Sequence, residues 1–111
     1  MKKIFLIVLS SVCLMLSCLA SAEDKVTLEL KMKDGDMMPL TLNAPANKII
    51  RIKVTNIGKG PVEFESTQLV KEKVLAPGAS SVVVISPKKP GTYLFFDDFH
   101  LNKPKGQLIV K

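Results

Sequence analysis

Cysteine is scarce in this chain of 111 residues, and the two that occur, Cys13 and Cys18, both fall near its start. Everything after Cys18 therefore lacks a disulfide and has no thiolate to offer a metal or a substrate. Tryptophan is missing, and there is one tyrosine and one histidine, His100. No glycine-rich phosphate loop is present. His100 has no serine nucleophile in a strained turn beside it, so hydrolytic chemistry has no starting residues. No segment carries a helical apolar period, and there is neither an internal repeat nor a low-complexity tract.

The N-terminus reads differently from the rest. Lys2 and Lys3 precede a nearly unbroken apolar run, Ile4 to Leu16, and Ala20-Ser21-Ala22 offers a small-x-small cleavage site. This is the pattern of a secretory signal, too short to span a bilayer comfortably. The expectation is an exported protein, with residues 1–22 removed and one domain over residues 23–111. It would work in the periplasm with no stable membrane span after cleavage. An uncleaved anchor is the bland alternative. Cleavage before Cys18, which follows the small Ser17, would instead leave a lipid-tethered form.

The chain carries a formal charge of +6; losing Lys2 and Lys3 leaves 14 basic residues against 10 acidic ones, a net of +4. The basic residues stand at alternating positions and are not interleaved with aromatics, which argues against nucleic-acid binding. In the sequence they read as a solvated face, with an anion or membrane patch the alternative.

The dominant period is two. Val26, Leu28, Leu30 and Met32 alternate with Lys25, Thr27, Glu29, Lys31 and Lys33, as do Ile50, Ile52 and Val54 with Arg51, Lys53 and Thr55. Further strands are expected around Leu40–Leu42, Val62–Glu65, Ser80–Ile85, Thr92–Phe96 and Gln107–Val110, while residues 70–75 are ambiguous. Asp34-Gly35-Asp36, Asn56 to Pro61, Ala76-Pro77-Gly78 and Pro87 to Gly91 are turn chemistry. Seven to eight short strands so punctuated predict an all-β Greek-key sandwich, whose loops are left to carry chemistry.

Two clusters are candidates. On an extended strand Glu63 and Glu65 point to one side, about 6–7 Å apart, with Glu72 not far beyond. Asp97, Asp98 and His100 follow the apolar strand Tyr93 to Phe96, with Phe95, Phe96 and Phe99 around them. Carboxylates plus one imidazole are hard and borderline metal ligands. Each piece also has a plainer reading: a turn, a solvated histidine, an edge strand's wet face. Met37-Met38 reads as core filler, with Met38 a conceivable soft ligand for copper.

Gly91-Thr92-Tyr93-Leu94-Phe95-Phe96-Asp97-Asp98-Phe99-His100 resembles the C-terminal ligand loop of blue-copper proteins, Gly-x-Tyr-x-Phe-x-Cys-x-x-His, and the likeness runs over most of residues 25–111. Asp97 stands at the cysteine position, Val62 at the first histidine position, and Asn102 to Lys105 hold no methionine, so a blue-copper centre is not expected. Pro61-Val62-Glu63-Phe64-Glu65-Ser66, with Glu72-Lys73-Val74 and Phe95 to His100, is similar to exported cupredoxin-like proteins that accompany bacterial ferrous-iron permeases. That resemblance implies a protein that binds iron, copper or both and helps oxidise iron or deliver it to the permease. The fold it implies would gather Glu63, Glu65, Glu72, Asp97, Asp98 and His100 around one small space. A metal-free module docking a membrane transport partner is the alternative, and copper storage a third reading that the mature chain's lack of Met- or His-rich tracts does not favour.

Overall fold

A computed structural model describes residues 24–111. The expected leader, residues 1–22, lies outside the described residues. The described chain runs through nine strands: β1 (Lys25–Lys33), β2 (Asp36–Met38), β3 (Thr41–Ala44), β4 (Ile49–Asn56), β5 (Val62–Ser66), β6 (Lys71–Leu75), β7 (Ser80–Ile85), β8 (Gly91–Asp97) and β9 (Gly106–Val110). None of the described residues forms a helix, so none could cross a membrane as one.

The strands form two sheets, ordered β2-β1-β4-β7 and β3-β9-β8-β5-β6. β1 pairs with β4 in parallel, and β3 with β9, so strands distant in sequence sit side by side. This is the sandwich that the alternating pattern predicts. The strand beyond the expected seven to eight is β2, three residues long, which folds back from the Asp34-Gly35 turn onto β1. So short a hairpin arm carries only one buried residue, Met37, and shows no period in the sequence.

The inward residues of both sheets meet in one core. Leu30, Met32, Ile50, Ile52, Val54 and Ile85 from one sheet face Val62, Phe64, Phe95, Leu108 and Val110 from the other. The rings of Phe64 and Phe95 stack with centroids 5.4 Å apart. Phe95 lies so close to β9 that a Cβ on Gly106 would sit 2.3 Å from its Cε1, so only glycine fits there.

The loop end of the sandwich is tied by one buried and one exposed polar side chain. Asn56, fully buried, donates from Nδ2 to the carbonyls of Gly60 and Leu75 and accepts from the N–H of Gly58. Asp34 accepts from the N–H groups of Lys59 and Gly60. These bonds hold the Asn56–Pro61 loop against the β1–β2 turn, and so set where β5 begins.

Candidate metal site on the five-stranded sheet

β5 pairs with β6 on one side and β8 on the other. Its alternation is strict: Val62, Phe64 and Ser66 are buried, while Glu63 and Glu65 face outward. Glu65 lies opposite Glu72 of β6 and opposite Phe96 of β8. Period two thus places Glu63 and Glu65 on one face, and the β5–β6 register brings Glu72 beside them. One carboxylate oxygen from each of Glu63, Glu65 and Glu72 lies within 4.8 Å of the others. Glu65 and Glu72 also border a shallow cleft of about 270 Å³, together with Ser66, Thr67, Val70 and Lys71.

Carboxylates packed this way resist ionisation. The Glu63 carboxyl is held above its ordinary value by partial desolvation, by a hydrogen bond with Glu72, and by the charges of Asp98, Glu65 and Glu72. Glu65 is raised by desolvation and by the charges of Asp98 and Glu72. Asp98 therefore belongs to the same electrostatic cluster. A cation placed among these oxygens would replace mutual repulsion with attraction.

Asp97 and His100 form a second, separate arrangement. The backbones of β5 and β8 do run together here, as the N–H of Asp98 donates to the carbonyl of Glu63. Yet Asp97 falls on the inward side of β8, one residue out of phase with Asp98, and its side chain is fully buried. Oδ1 accepts from the N–H groups of Glu63 and Phe99, both at 3.0 Å. Oδ2 lies 2.7 Å from Nδ1 of His100. A carboxylate only accepts, so Nδ1 is assigned the proton, and Nε2 is then the nitrogen with a free lone pair. The ring packs against the β1–β2 turn: a Cβ on Gly35, whose φ is +97°, would meet His100 Cβ and Lys103 Cγ at 2.8 Å. The six predicted residues therefore divide. Glu63, Glu65 and Glu72 converge with Asp98 at their edge, while Asp97 engages His100 and the loop backbone.

The neighbouring side chains complete the picture. Lys105, just before β9, places its ammonium 5.4 Å from the Phe96 ring centroid. Phe99 and Leu101 flank His100 and are exposed (47% and 68%). Met37 is buried in the core, whereas Met38 is exposed and lines a cleft with Gly35, Asp36, Leu40 and Pro104. Asn56 opens the loop expected from the sequence, and its buried side chain, which ties Gly58, Gly60 and Leu75 together, is a contribution that only the tertiary structure shows.

Comparison with known proteins adds the following. A family model described as a cupredoxin-like domain matches residues 6–110. An uncharacterized protein of Rickettsia prowazekii (strain Madrid E) is 34% identical over 83 residues, which are 75% of this chain and 66% of that protein. The chain thus spans just under two thirds of that relative's length. The metal-binding domain of the Cu(I)-exporting P-type ATPase of Streptococcus pneumoniae D39, solved with Cu(I), superposes with a TM-score of 0.70 at 12% identity, covering 80% of this chain and 88% of that one. A purple cupredoxin from Nitrosopumilus maritimus gives 0.60 at 18% identity, covering 76% and 99%. The periplasmic domain of cytochrome oxidase subunit II from Bradyrhizobium japonicum gives 0.65 at 14% identity, covering 77% and 83%. At these identities the solved structures show a shared fold.

Proposed function

Because this chain belongs to the cupredoxin-like domain family, we propose that it is an exported metal-handling protein that binds through carboxylates where its blue-copper relatives use a thiolate. Its cargo is iron, taken up for oxidation or for delivery to an iron permease, and copper competes for the same groups. The observation that carries this reading is the convergence of Glu63, Glu65 and Glu72 within 4.8 Å.

A blue-copper centre does not fit these residues. The position of the thiolate in the resembling motif holds Asp97, whose two oxygens already accept from Glu63, Phe99 and His100. Asp97 holds His100 by Nδ1 and points its other nitrogen elsewhere. Carboxylates that grip a histidine from behind commonly orient it in metal sites. If His100 contacts a metal, it does so through Nε2, with Asp97 as the orienting group.

Three glutamates offer only hard oxygen donors. Such a set suits ferrous and ferric iron and manganese, and it favours the ferric state because that ion is harder and more highly charged. Cupric ion also binds carboxylates, and affinity order alone ranks it above ferrous iron. Copper binding in a tube would therefore not identify the working metal.

Exposed Phe99 and Leu101 support a second reading, in which the loop end docks a membrane transport partner without metal. An anaerobic titration with ferrous iron and then cupric ion separates the two. The metal reading expects one-to-one binding that Glu63→Gln and Glu72→Gln each weaken by a decade or more. It also expects ferrous iron to oxidise faster in air with the wild type than with these variants. Binding no tighter than that of a generic acidic surface, unchanged by either substitution, would leave the docking reading standing.

A further inference from the structure

The alternating basic residues of β1 and β4 are gathered by register. The two strands run parallel, and their outward positions, Lys25, Thr27, Glu29, Lys31 and Lys33 beside Ile49, Arg51, Lys53 and Thr55, form one continuous surface. β7 extends it with Ser80, Val82 and Val84, and β2 with Asp36 and Met38. Five cations, Lys25, Lys31, Lys33, Arg51 and Lys53, stand on this face with two acids, Glu29 and Asp36. Asp36 is taken by Lys103 from the β8–β9 loop. Among the described residues none of the five cations makes an ion pair within 4.0 Å. The opposite outer face, on the five-stranded sheet, carries Glu63, Glu65, Glu72 and Asp98. The sandwich therefore has one basic face and one acidic patch, on opposite sides.

We propose that the outer face of the four-stranded sheet docks on a bilayer surface rich in anionic phospholipid. The cations are spread over two strands with no two of them directly opposite in register, which matches a diffuse layer of headgroup charge better than a single bound anion. Exposed Met38, Val82 and Val84 (42%, 40% and 46%) border the array and supply apolar contact at the headgroup boundary. The same orientation turns the acidic patch away from the lipid charge that would repel it. The apolar run Ile4 to Leu16 ends nine residues before Lys25, the first residue of β1, so a tether through that segment would keep the four-stranded sheet near a bilayer. This inference does not depend on the metal reading, since none of the face residues belongs to the carboxylate cluster.

Residues 24–111 contain both sheets and the whole core, so this segment is tested without the leader. It is sedimented with phosphatidylglycerol–phosphatidylethanolamine vesicles and with pure phosphatidylcholine vesicles. The expected result is binding to the anionic vesicles alone, weakened tenfold or more between about 50 and about 300 mM NaCl. Lys31→Glu with Lys53→Glu should reduce binding at least a hundredfold. Lys31→Gln with Lys53→Gln, which adds no repulsion to the sheet, should reduce it roughly thirtyfold. Lys73→Glu with Lys105→Glu, the same change of net charge outside the four-stranded sheet, should alter it by less than twofold. Equal losses from the two Glu pairs would reduce the effect to net charge and overturn the proposal, as would no vesicle binding at low salt. Salt-sensitive self-association in sedimentation velocity, lost in both Lys31–Lys53 variants, would assign the face to a second copy instead.

Discussion

Replacing Asp97 by alanine should cost this domain about half its stability. The carboxylate is 2% exposed and accepts three hydrogen bonds, from the N–H groups of Glu63 and Phe99 and from Nδ1 of His100. A hydrogen bond to a charged group contributes about 1.5–3 kcal/mol. The two backbone donors are part-buried and regain some hydration when the acceptor goes, so a loss of about 3–4 kcal/mol is expected rather than the full sum. A domain of this size has about 5–10 kcal/mol in total. The midpoint of thermal unfolding should fall by roughly 15–25 °C. Asparagine separates geometry from charge. Its Oδ1 can still accept from Glu63 and Phe99, but its amide now faces His100 as a donor. The imidazole must then present a lone pair at Nδ1 and carry its proton on Nε2. Asp97→Asn should cost only about 1 kcal/mol and should invert the tautomer. Urea unfolding measures the first effect and imidazole ¹⁵N shifts the second. An alanine variant within about 1 kcal/mol of the wild type, or an asparagine variant with an unchanged tautomer, would refute the role assigned to Asp97.

Three further outcomes follow from the same geometry. Gly106→Ala should destabilise by about 1–3 kcal/mol, because its Cβ would collide with the Phe95 ring; urea midpoints report this. Val70 sits at φ +57° with 83% of its surface exposed, so Val70→Gly should relieve left-handed strain and stabilise by about 1 kcal/mol, read by the thermal midpoint. Glu63 and Glu65 both have raised carboxyl values in the folded state, so folding favours their neutral forms. Their contribution is therefore full at acid pH and is lost as pH rises through the raised values. Against a Glu63→Gln, Glu65→Gln double variant, the metal-free wild type should lose relative stability as the pH rises above the ordinary glutamate value of about 4.3. A saturating cation should abolish that loss, because it binds the ionised carboxylates.

Period two was the readable signal, and its reach was local. It showed which residues of each segment face inward, and so Leu30, Ile50, Ile52 and Val54 were core candidates before any fold was known. It also placed Glu63 and Glu65 on one side of their strand. It did not say which strands would be neighbours. β2 escaped notice because three residues are too few to show a period. The ambiguous stretch at residues 70–75 proved to be β6, whose pattern exposes Glu72, Lys73 and Val74 in a row because it lies at the sheet edge.

Alternation, turn chemistry and the near-absence of cysteine belong to the sequence alone, and they determined an all-β sandwich without disulfide or thiolate. Pairing belongs to the tertiary structure. Only the β5–β6 register brings Glu72 to Glu63 and Glu65, and only the phase of β8 turns Asp97 inward and leaves Asp98 outside. Likewise, lysines scattered through β1 and β4 become one basic face because those strands run parallel and in register. The physical reason is the same in each case. Which face a side chain takes depends on its immediate neighbours in the chain, whereas which side chains share that face depends on hydrogen-bond pairing between segments far apart in sequence.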